Sequence, residues 1–191
     1  MPVKILAFAG SARKDSLNKK LARVAAASAT SAGGDVTLID LDDYPMPVYH
    51  GDLEEREGLP ENGRKLKKLF MEHQALLIVS PENNASMSSL LKNTLDWVSR
   101  AVDGQNGLVP YQNKVALLLA ASPGALGGLR GMVHLRQTLQ ALTVLVLSEQ
   151  LALNRAHEQF DPAGKLLDPK MQASLDGLTR RLVSITAKLN A

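Results

Sequence analysis

The chain has 191 residues, 22 basic and 19 acidic, for a formal net charge of +3, and it has no cysteine. That length suits one domain with a real core, expected to span residues 1–191, and the lack of Cys excludes disulfides and thiolate chemistry and fits a reducing compartment. The mild, dispersed charge and the sparse aromatics (three Phe, three Tyr, one Trp) argue against a nucleic-acid partner. The N-terminus carries one Lys and a short apolar run. That run is too short for a membrane span and has no small-residue cleavage site, so a cytoplasmic protein with no membrane partner is expected.

Residues 3–9 form an apolar run that reads as a buried strand. Gly10-Ser11-Ala12-Arg13-Lys14-Asp15-Ser16-Leu17-Asn18 follows, and then a helical pattern over about 16–32, with Leu21, Val24 and Ala25 in register and Gly33-Gly34 as its stop. This stretch is therefore a strand-to-helix turn. The first N–H groups of a helix lack intrahelical partners, and the dipole there favours negative charge, so such a turn is a natural phosphate site. Ser11, Ser16 and Asn18 can donate hydrogen bonds, and Arg13 can grip phosphate oxygens in a bidentate way. Capping by Ser16 or Asn18 alone would not call for all four polar groups.

Residues 36–39 are the second strand, ending at Asp40. An acid there would suit a dinucleotide fold, but neither G-x-G-x-x-G nor the P-loop pattern occurs, so Asp40 reads as a strand-end or turn residue. Residues 42–52, with Pro45 and Pro47, read as a long ordered loop, neither strand nor helix. The pattern at 60–74 is helical, with Leu66, Leu69 and Phe70 as its apolar stripe and Arg64, Lys65, Lys67 and Lys68 as a solvated face.

The third strand, 75–80, is continuously apolar and so buried on both faces. It runs into a polar turn, Pro81-Glu82-Asn83-Asn84-Ala85-Ser86-Met87-Ser88-Ser89, ahead of a helix over 90–100, in which Trp97 is expected to pack in a core or an interface. The fourth strand, 115–119, leads into Ser122-Pro123-Gly124-Ala125-Leu126-Gly127-Gly128, where the glycines permit either a tight turn or close approach to a flat ligand. A helix over 130–142, a fifth strand over 144–147, a linker with Asp161-Pro162 and Gly164, and a last helix over about 169–189 complete the chain.

Strand and helix alternate, which implies a doubly wound five-stranded parallel sheet in the order 2-1-3-4-5, with helices on both faces. Ligands of such sheets bind at the carboxyl ends of the strands near the switch in strand order. The turns after strands one, three and four are neighbours there, which suits a phosphorylated planar ligand such as FMN.

Gly10-Ser11-x-Arg13-x-x-Ser16-x-Asn18, Ser80-Pro81-Glu82-x-Asn84, Leu91-Lys92-Asn93-x-x-Asp96-Trp97 and Ser122-Pro123-Gly124-x-x-Gly127-Gly128 together resemble the NADPH-dependent FMN reductase family of flavodoxin-like fold, which includes bacterial quinone, chromate and azo-dye reductases. The resemblance covers most of the chain, including Leu135-Arg136-Gln137 and the Pro-rich loop ending at Tyr49. It implies FMN as cofactor, NADPH or NADH as co-substrate, a small-molecule electron acceptor, and a homodimer or dimer of dimers with the site near the interface. By the resemblance, Ser11, Arg13, Ser16, Leu17 and Asn18 hold the FMN phosphate, and Pro81, Glu82, Asn83, Asn84, Ser86, Ser122, Pro123, Gly124, Gly127 and Gly128 hold the ring. The chain departs from the family at Asn83, where a Tyr is usual, and around Met87-Ser88-Ser89, where Gly or Pro is common.

In such an enzyme the flavin does the chemistry, so no nucleophile or acid–base pair is required. His50, His73, His134 and His157 are dispersed with no metal-ligand spacing and read as structural or solvent-facing, and Glu82 reads as a ring-positioning or loop-fixing residue. The alternative is an FMN-binding electron-transfer or regulatory module without nicotinamide turnover. The slight positive charge weighs against the first of these, since electron-carrying flavodoxins tend to be acidic.

Overall fold

The computed structural model describes residues 1–191. Five strands form one parallel sheet: β1 (Lys4–Ala9), β2 (Asp35–Asp40), β3 (Ala75–Val79), β6 (Val115–Ala121) and β7 (Leu145–Leu153), in the order β2-β1-β3-β6-β7. Two short strands, β4 (Glu82–Asn83) and β5 (Ser86–Met87), form a separate antiparallel hairpin. Leaving that hairpin aside, the main sheet has the expected 2-1-3-4-5 order.

Strand residues alternate between two buried layers, as the two-residue side-chain period requires. Ile5, Ala7, Ala9, Leu77, Val79, Leu117 and Leu119 face α1 (Leu17–Ser31) and α6 (Pro169–Leu189). Leu6, Phe8, Leu76, Ile78, Ala116, Leu118 and Ala120 face the opposite layer of α3 (Glu61–Glu72), α4 (Ser89–Val98) and α5 (Leu129–Ala141). No helix is long and apolar enough to cross a membrane.

Three features differ from the sequence expectation. The fifth strand is longer than 144–147, because β7 continues through Ser148, Glu149 and Gln150 at the sheet edge, where polar residues are tolerated. A register shift against β6 frees carbonyls there, and Arg136 takes up that of Leu147 at 2.6 Å and the Gln150 side chain at 2.9 Å. The loop after β2 is partly helical, since a 3-10 turn covers Leu41–Asp43 and α2 covers Gly51–Glu57. Asp40 closes that turn by accepting from Asp42 N–H at 3.1 Å, and it pairs with Lys19 Nζ at 2.6 Å, so it is a strand-end residue. Finally, Lys67 is not solvated: it is buried and donates to Arg100 O at 2.5 Å, whereas Arg64, Lys65 and Lys68 are exposed.

The Pro-rich segment between the 3-10 turn and α2 is strapped to α4. Trp97 Nε1 and Asn93 Nδ2 both donate to Pro47 O, at 2.8 and 2.9 Å, and Asn93 Oδ1 accepts from Tyr49 N–H at 2.8 Å. Tyr49 stands edge-on to Trp97 at 5.1 Å, and the Trp97 side chain is fully buried inside its own chain. His73 is buried too, with ring nitrogens 2.6 Å from Leu69 O and 2.8 Å from Thr37 Oγ1, and His50, His134 and His157 are exposed.

At the amino edge of the sheet, Lys114 is buried and donates to His73 O. Burial disfavours its charge and pulls its pKa down to about 8. The unfolded chain, with the ordinary lysine value of about 10.4, then binds more protons than the fold above pH 8, so stability rises with pH across that window. The midpoint of urea unfolding is therefore expected to climb from pH 8 to pH 10, by the equivalent of about 1–3 kcal/mol. Lys114→Met, measured in the same titration, flattens that climb; an unchanged slope would show that Lys114 is not its source.

Candidate functional site

The loops after β1, β3 and β6 leave the sheet side by side. Their first residues continue the ladder: Gly10 N–H donates to Val79 O at 2.9 Å, Ser80 N–H to Leu119 O at 2.8 Å and Ser122 N–H to Leu153 O at 3.1 Å. Between the loops lies a cleft of about 440 Å³, walled by residues 10–13 and 16–18 from the first loop, 81–83 and 88–90 from the second, and 121–123 from the third. Its size falls within the range of about 300–1,000 Å³ found for small-molecule sites.

In the first loop, Ser16 is the N-cap of α1, and its Oγ accepts from Asn18 N–H at 3.2 Å and Lys19 N–H at 3.4 Å. The N–H of Leu17, which has no partner within the helix, is left for a ligand. Ser11 Oγ accepts from Arg13 N–H at 3.3 Å, and the Arg13 side chain is exposed, without a carboxylate beside it. Asn18 is buried and engaged: Nδ2 donates to Ala121 O and Oδ1 accepts from Ala121 N–H, both at 2.9 Å. Its part in the cleft is thus to tie the first turn of α1 to the end of β6, with one amide hydrogen left over.

In the second loop, Glu82 pairs with Met87 and Asn83 with Ser86, and the turn between them has Asn84 and Ala85 at φ 50° and 63°. Ser88 caps α4, accepting from Leu91 N–H at 3.2 Å, and donates to Gly10 O at 2.6 Å, which joins this loop to the first. The Glu82 side chain points away toward α5 and is only 9% exposed. Oε2 accepts from Arg130 N–H at 3.0 Å and Gly131 N–H at 3.2 Å, and Oε1 accepts from Arg130 Nε at 2.8 Å and from Arg130 Nη2. Burial works to push this carboxyl up, but the Arg130 guanidinium and the Gly131 N–H outweigh it and hold the group below the ordinary glutamate value. Of the loop residues expected at the site, Pro81, Glu82 and Asn83 line the cleft, whereas Asn84 and Ser86 do not.

In the third loop the glycines serve the tight turn, one of the two roles the sequence allows them. Gly127 and Gly128 have φ of 61° and 93°, and neither they nor Gly124 line the cleft. A Cβ on Gly127 would meet the Ala152 backbone at 2.8 Å, and one on Gly128 would meet Ala120 Cβ at 2.7 Å. These two glycines let the turn pack against β6 and β7; only Ser122 and Pro123 of this motif face the cleft.

The helix ends divide the cleft electrically. α1, α4 and α5 all start at this edge, each with a positive dipole end. Ser88 caps α4, and the Glu82 carboxylate neutralises α5, whose own N-cap, Gly128, supplies no side chain. α1 has the same kind of hydroxyl cap as α4 but adds Arg13, a guanidinium without a carboxylate beside it, so negative charge is most favoured at the start of α1, beside Ser11, Arg13 and Leu17 N–H. Leu17, Pro81, Leu90 and Pro123 add apolar surface to the same cleft. A donor set at one end with apolar walls alongside it fits a phosphorylated planar group such as FMN.

Sequence reasoning missed Ser88 and Leu90, which line the cleft, and Arg130, which holds Glu82. Ser88 immediately precedes an apolar helix, a signal for an N-cap. Nothing local announces Arg130, because its partner is 48 residues away.

The chain matches the NADPH-dependent FMN reductase family over residues 3–158. It is 34% identical to an NAD(P)H-dependent FMN reductase of Pseudomonas aeruginosa over 169 residues, covering 88% of this chain and 86% of that one. It is 31% identical to a quinone reductase of Escherichia coli over 184 residues, covering 95% and 93%. The solved structure of FerB, a flavoenzyme NAD(P)H:(acceptor) oxidoreductase from Paracoccus denitrificans, superposes with a TM-score of 0.82 at 29% identity, covering 97% of this chain and 98% of that one.

The Asn18–Ala121 pair can be tested directly. Asn18→Ala leaves a buried N–H and C=O of Ala121 unpaired, at about 1–3 kcal/mol each, so unfolding free energy is expected to drop by about 2–6 kcal/mol in denaturant titration. A loss under 0.5 kcal/mol would mean that the pair does not hold the two loops together.

Proposed function

Because the chain belongs to the NADPH-dependent FMN reductase family, we propose that it is an FMN-dependent oxidoreductase that moves two electrons from NADPH or NADH to a small-molecule acceptor such as a quinone, a free flavin or an azo dye. The observation that carries the reading is the single cleft in which the open start of α1, Arg13 and the apolar edges of two further loops meet. When bound, FMN supplies the redox chemistry, accepting a hydride from the nicotinamide and giving up two electrons to the acceptor.

The protein's part is placement. Ser11, Arg13, Ser16 and the Leu17 N–H hold the phosphate, where the helix dipole adds to the charge of Arg13. Asn18 and Ser88 fix the first loop against its neighbours, through Ala121 and through Gly10 O. Pro81, Glu82, Asn83, Leu90, Ser122 and Pro123, which line the rest of the cleft, would border the ring. A cytoplasmic site of action goes with this reading, since reduced nicotinamide nucleotides are supplied there.

The same reading includes a homodimer or dimer of dimers. Trp97 gives it no support, being buried in its own chain, but Leu129 and Val133, four residues apart on α5, are 42% and 57% exposed, and Leu126 in the turn before them is 51% exposed. Sedimentation is expected to find a dimer or tetramer at micromolar concentration, and a fully active monomer would refute this part of the reading.

The deciding experiment is the flavin spectrum of the purified protein before and after anaerobic NADPH and NADH. Rapid bleaching by either nucleotide supports the enzyme; stable yellow protein indicates an electron carrier, and protein that stays colourless after FMN is added has lost the cofactor. Arg13→Ala is expected to weaken FMN binding at least tenfold, since a charge-assisted hydrogen bond is worth about 1.5–3 kcal/mol. Unaltered affinity in a fluorescence titration would remove the first loop as the phosphate site.

Asn83 marks the acceptor side. An aromatic residue there would bury about 150–250 Å² and stack on flat partners, whereas Asn offers polar groups and a wider opening. Asn83→Tyr is expected to leave FMN content unchanged and to raise kcat/KM for small flat quinones about tenfold relative to bulky polar acceptors, a gain of about 1.4 kcal/mol. An unchanged ranking of acceptors would mean that position 83 does not face them.

A further inference from the structure

We propose that Glu82 and Arg130 form a positioning clamp that locks the β4–β5 hairpin onto the start of α5, holds Asn83 at the wall of the cleft, and thereby sets which acceptors the site takes. The proposal rests on the reading of the cleft as a flavin site.

The hairpin cannot hold this place by itself. It has two residues in each strand, too few for a ribbon to be stable alone. Its turn places two non-glycine residues, Asn84 and Ala85, in the left-handed region at φ 50° and 63°, which is unfavourable without outside support. That support comes from α5. The Glu82 carboxylate gathers Arg130 N–H at 3.0 Å, Gly131 N–H at 3.2 Å and Arg130 Nε at 2.8 Å, with Nη2 as a further donor. Beside this contact the two backbones touch, since a Cβ on Gly131 would lie 2.9 Å from Ser86 O and 3.4 Å from Glu82 Cα. The hairpin therefore rests on α5 at both of its strands.

Glu82 and Asn83 are consecutive, and both line the cleft, whereas Arg130 does not. Arg130 therefore bears on the cleft through Glu82, which makes it a positioning residue. The Arg130 side chain is 59% exposed while that of Glu82 is 9% exposed, so the clamp is opened from its outer half without carving a cavity in the core.

The test combines Arg130→Ala, Arg130→Lys and Glu82→Gln. In flavin-free protein, Arg130→Ala is expected to speed amide hydrogen exchange at residues 83–87 at least tenfold and to leave β1 and β3 unchanged. In FMN-loaded protein, the FMN dissociation constant is expected to stay within threefold. The ratio of kcat/KM for a benzoquinone to that for a bulkier naphthoquinone is expected to shift at least threefold, through KM rather than kcat. Arg130→Lys restores part of both effects, and Glu82→Gln moves them in the same direction as Arg130→Ala. Unchanged exchange in the hairpin overturns the proposal, as does faster exchange with an unchanged acceptor ratio. A wild-type protein that takes up no FMN refutes the flavin reading instead, and the exchange rates then judge the clamp alone. If Arg130→Ala does not fold, the other two variants decide by the same criteria.

Discussion

Two hydrogen bonds from one buried side chain hold the working edge of this molecule together. β1 and β6 are not neighbours, because β3 lies between them. Asn18 reaches across the end of β3 from the first turn of α1 and closes a reciprocal pair with the backbone of Ala121, at 2.9 Å in both directions. Only a side chain with a donor and an acceptor on one short planar group can satisfy a neighbouring N–H and C=O at once. The pair sets the first loop against the third, and Ser88, donating to Gly10 O at 2.6 Å, sets the second against the first. Both side chains are buried, so the loops meet through desolvated hydrogen bonds that are expensive to leave unmade.

On that frame the electrostatics of the cleft follow from how each helix is capped. A hydroxyl cap leaves the dipole of α1 largely intact, and Arg13 adds a full charge beside it. A carboxylate delivered from another element cancels the dipole of α5. α4 keeps its dipole under the Ser88 hydroxyl as well, so what sets the start of α1 apart is the guanidinium of Arg13 beside it. The same carboxylate anchors the hairpin, so the means that neutralises α5 also positions Asn83.

Much of this was legible in the chain itself. Strand β3 is apolar at every position because both of its faces are covered, and the alternation of such runs with amphipathic helices implies the parallel order before any coordinate is known. The last helix falls on Pro169–Leu189, where the sequence places it after the linker with Asp161-Pro162 and Gly164. The polar character of the first loop was evident as well. Where the structure departs from the sequence expectation, at Lys67 and the polar stretch of β7, the residues answer to partners distant in sequence, and so does the choice of glycine at 127 and 128. Lys67 is buried because Arg100 O awaits it, Gly127 and Gly128 are glycine because Ala152 and Ala120 crowd them, and Ser148 to Gln150 extend a strand because they lie at an edge.

The division is a physical one. Sequence by itself determined the fold class, the three loops at one sheet edge and the donor groups gathered on the first, since these depend on periodicity, on backbone geometry and on N–H groups that every helix start exposes. Tertiary structure alone decided that Asn18 serves Ala121, that Glu82 faces Arg130, and that Trp97 is buried under the strap at Pro47. Those are side-chain pairings over 103, 48 and 50 residues. A hydrogen bond is specified by distance and angle in space, and no local pattern encodes which of many polar groups the folded chain will bring within reach.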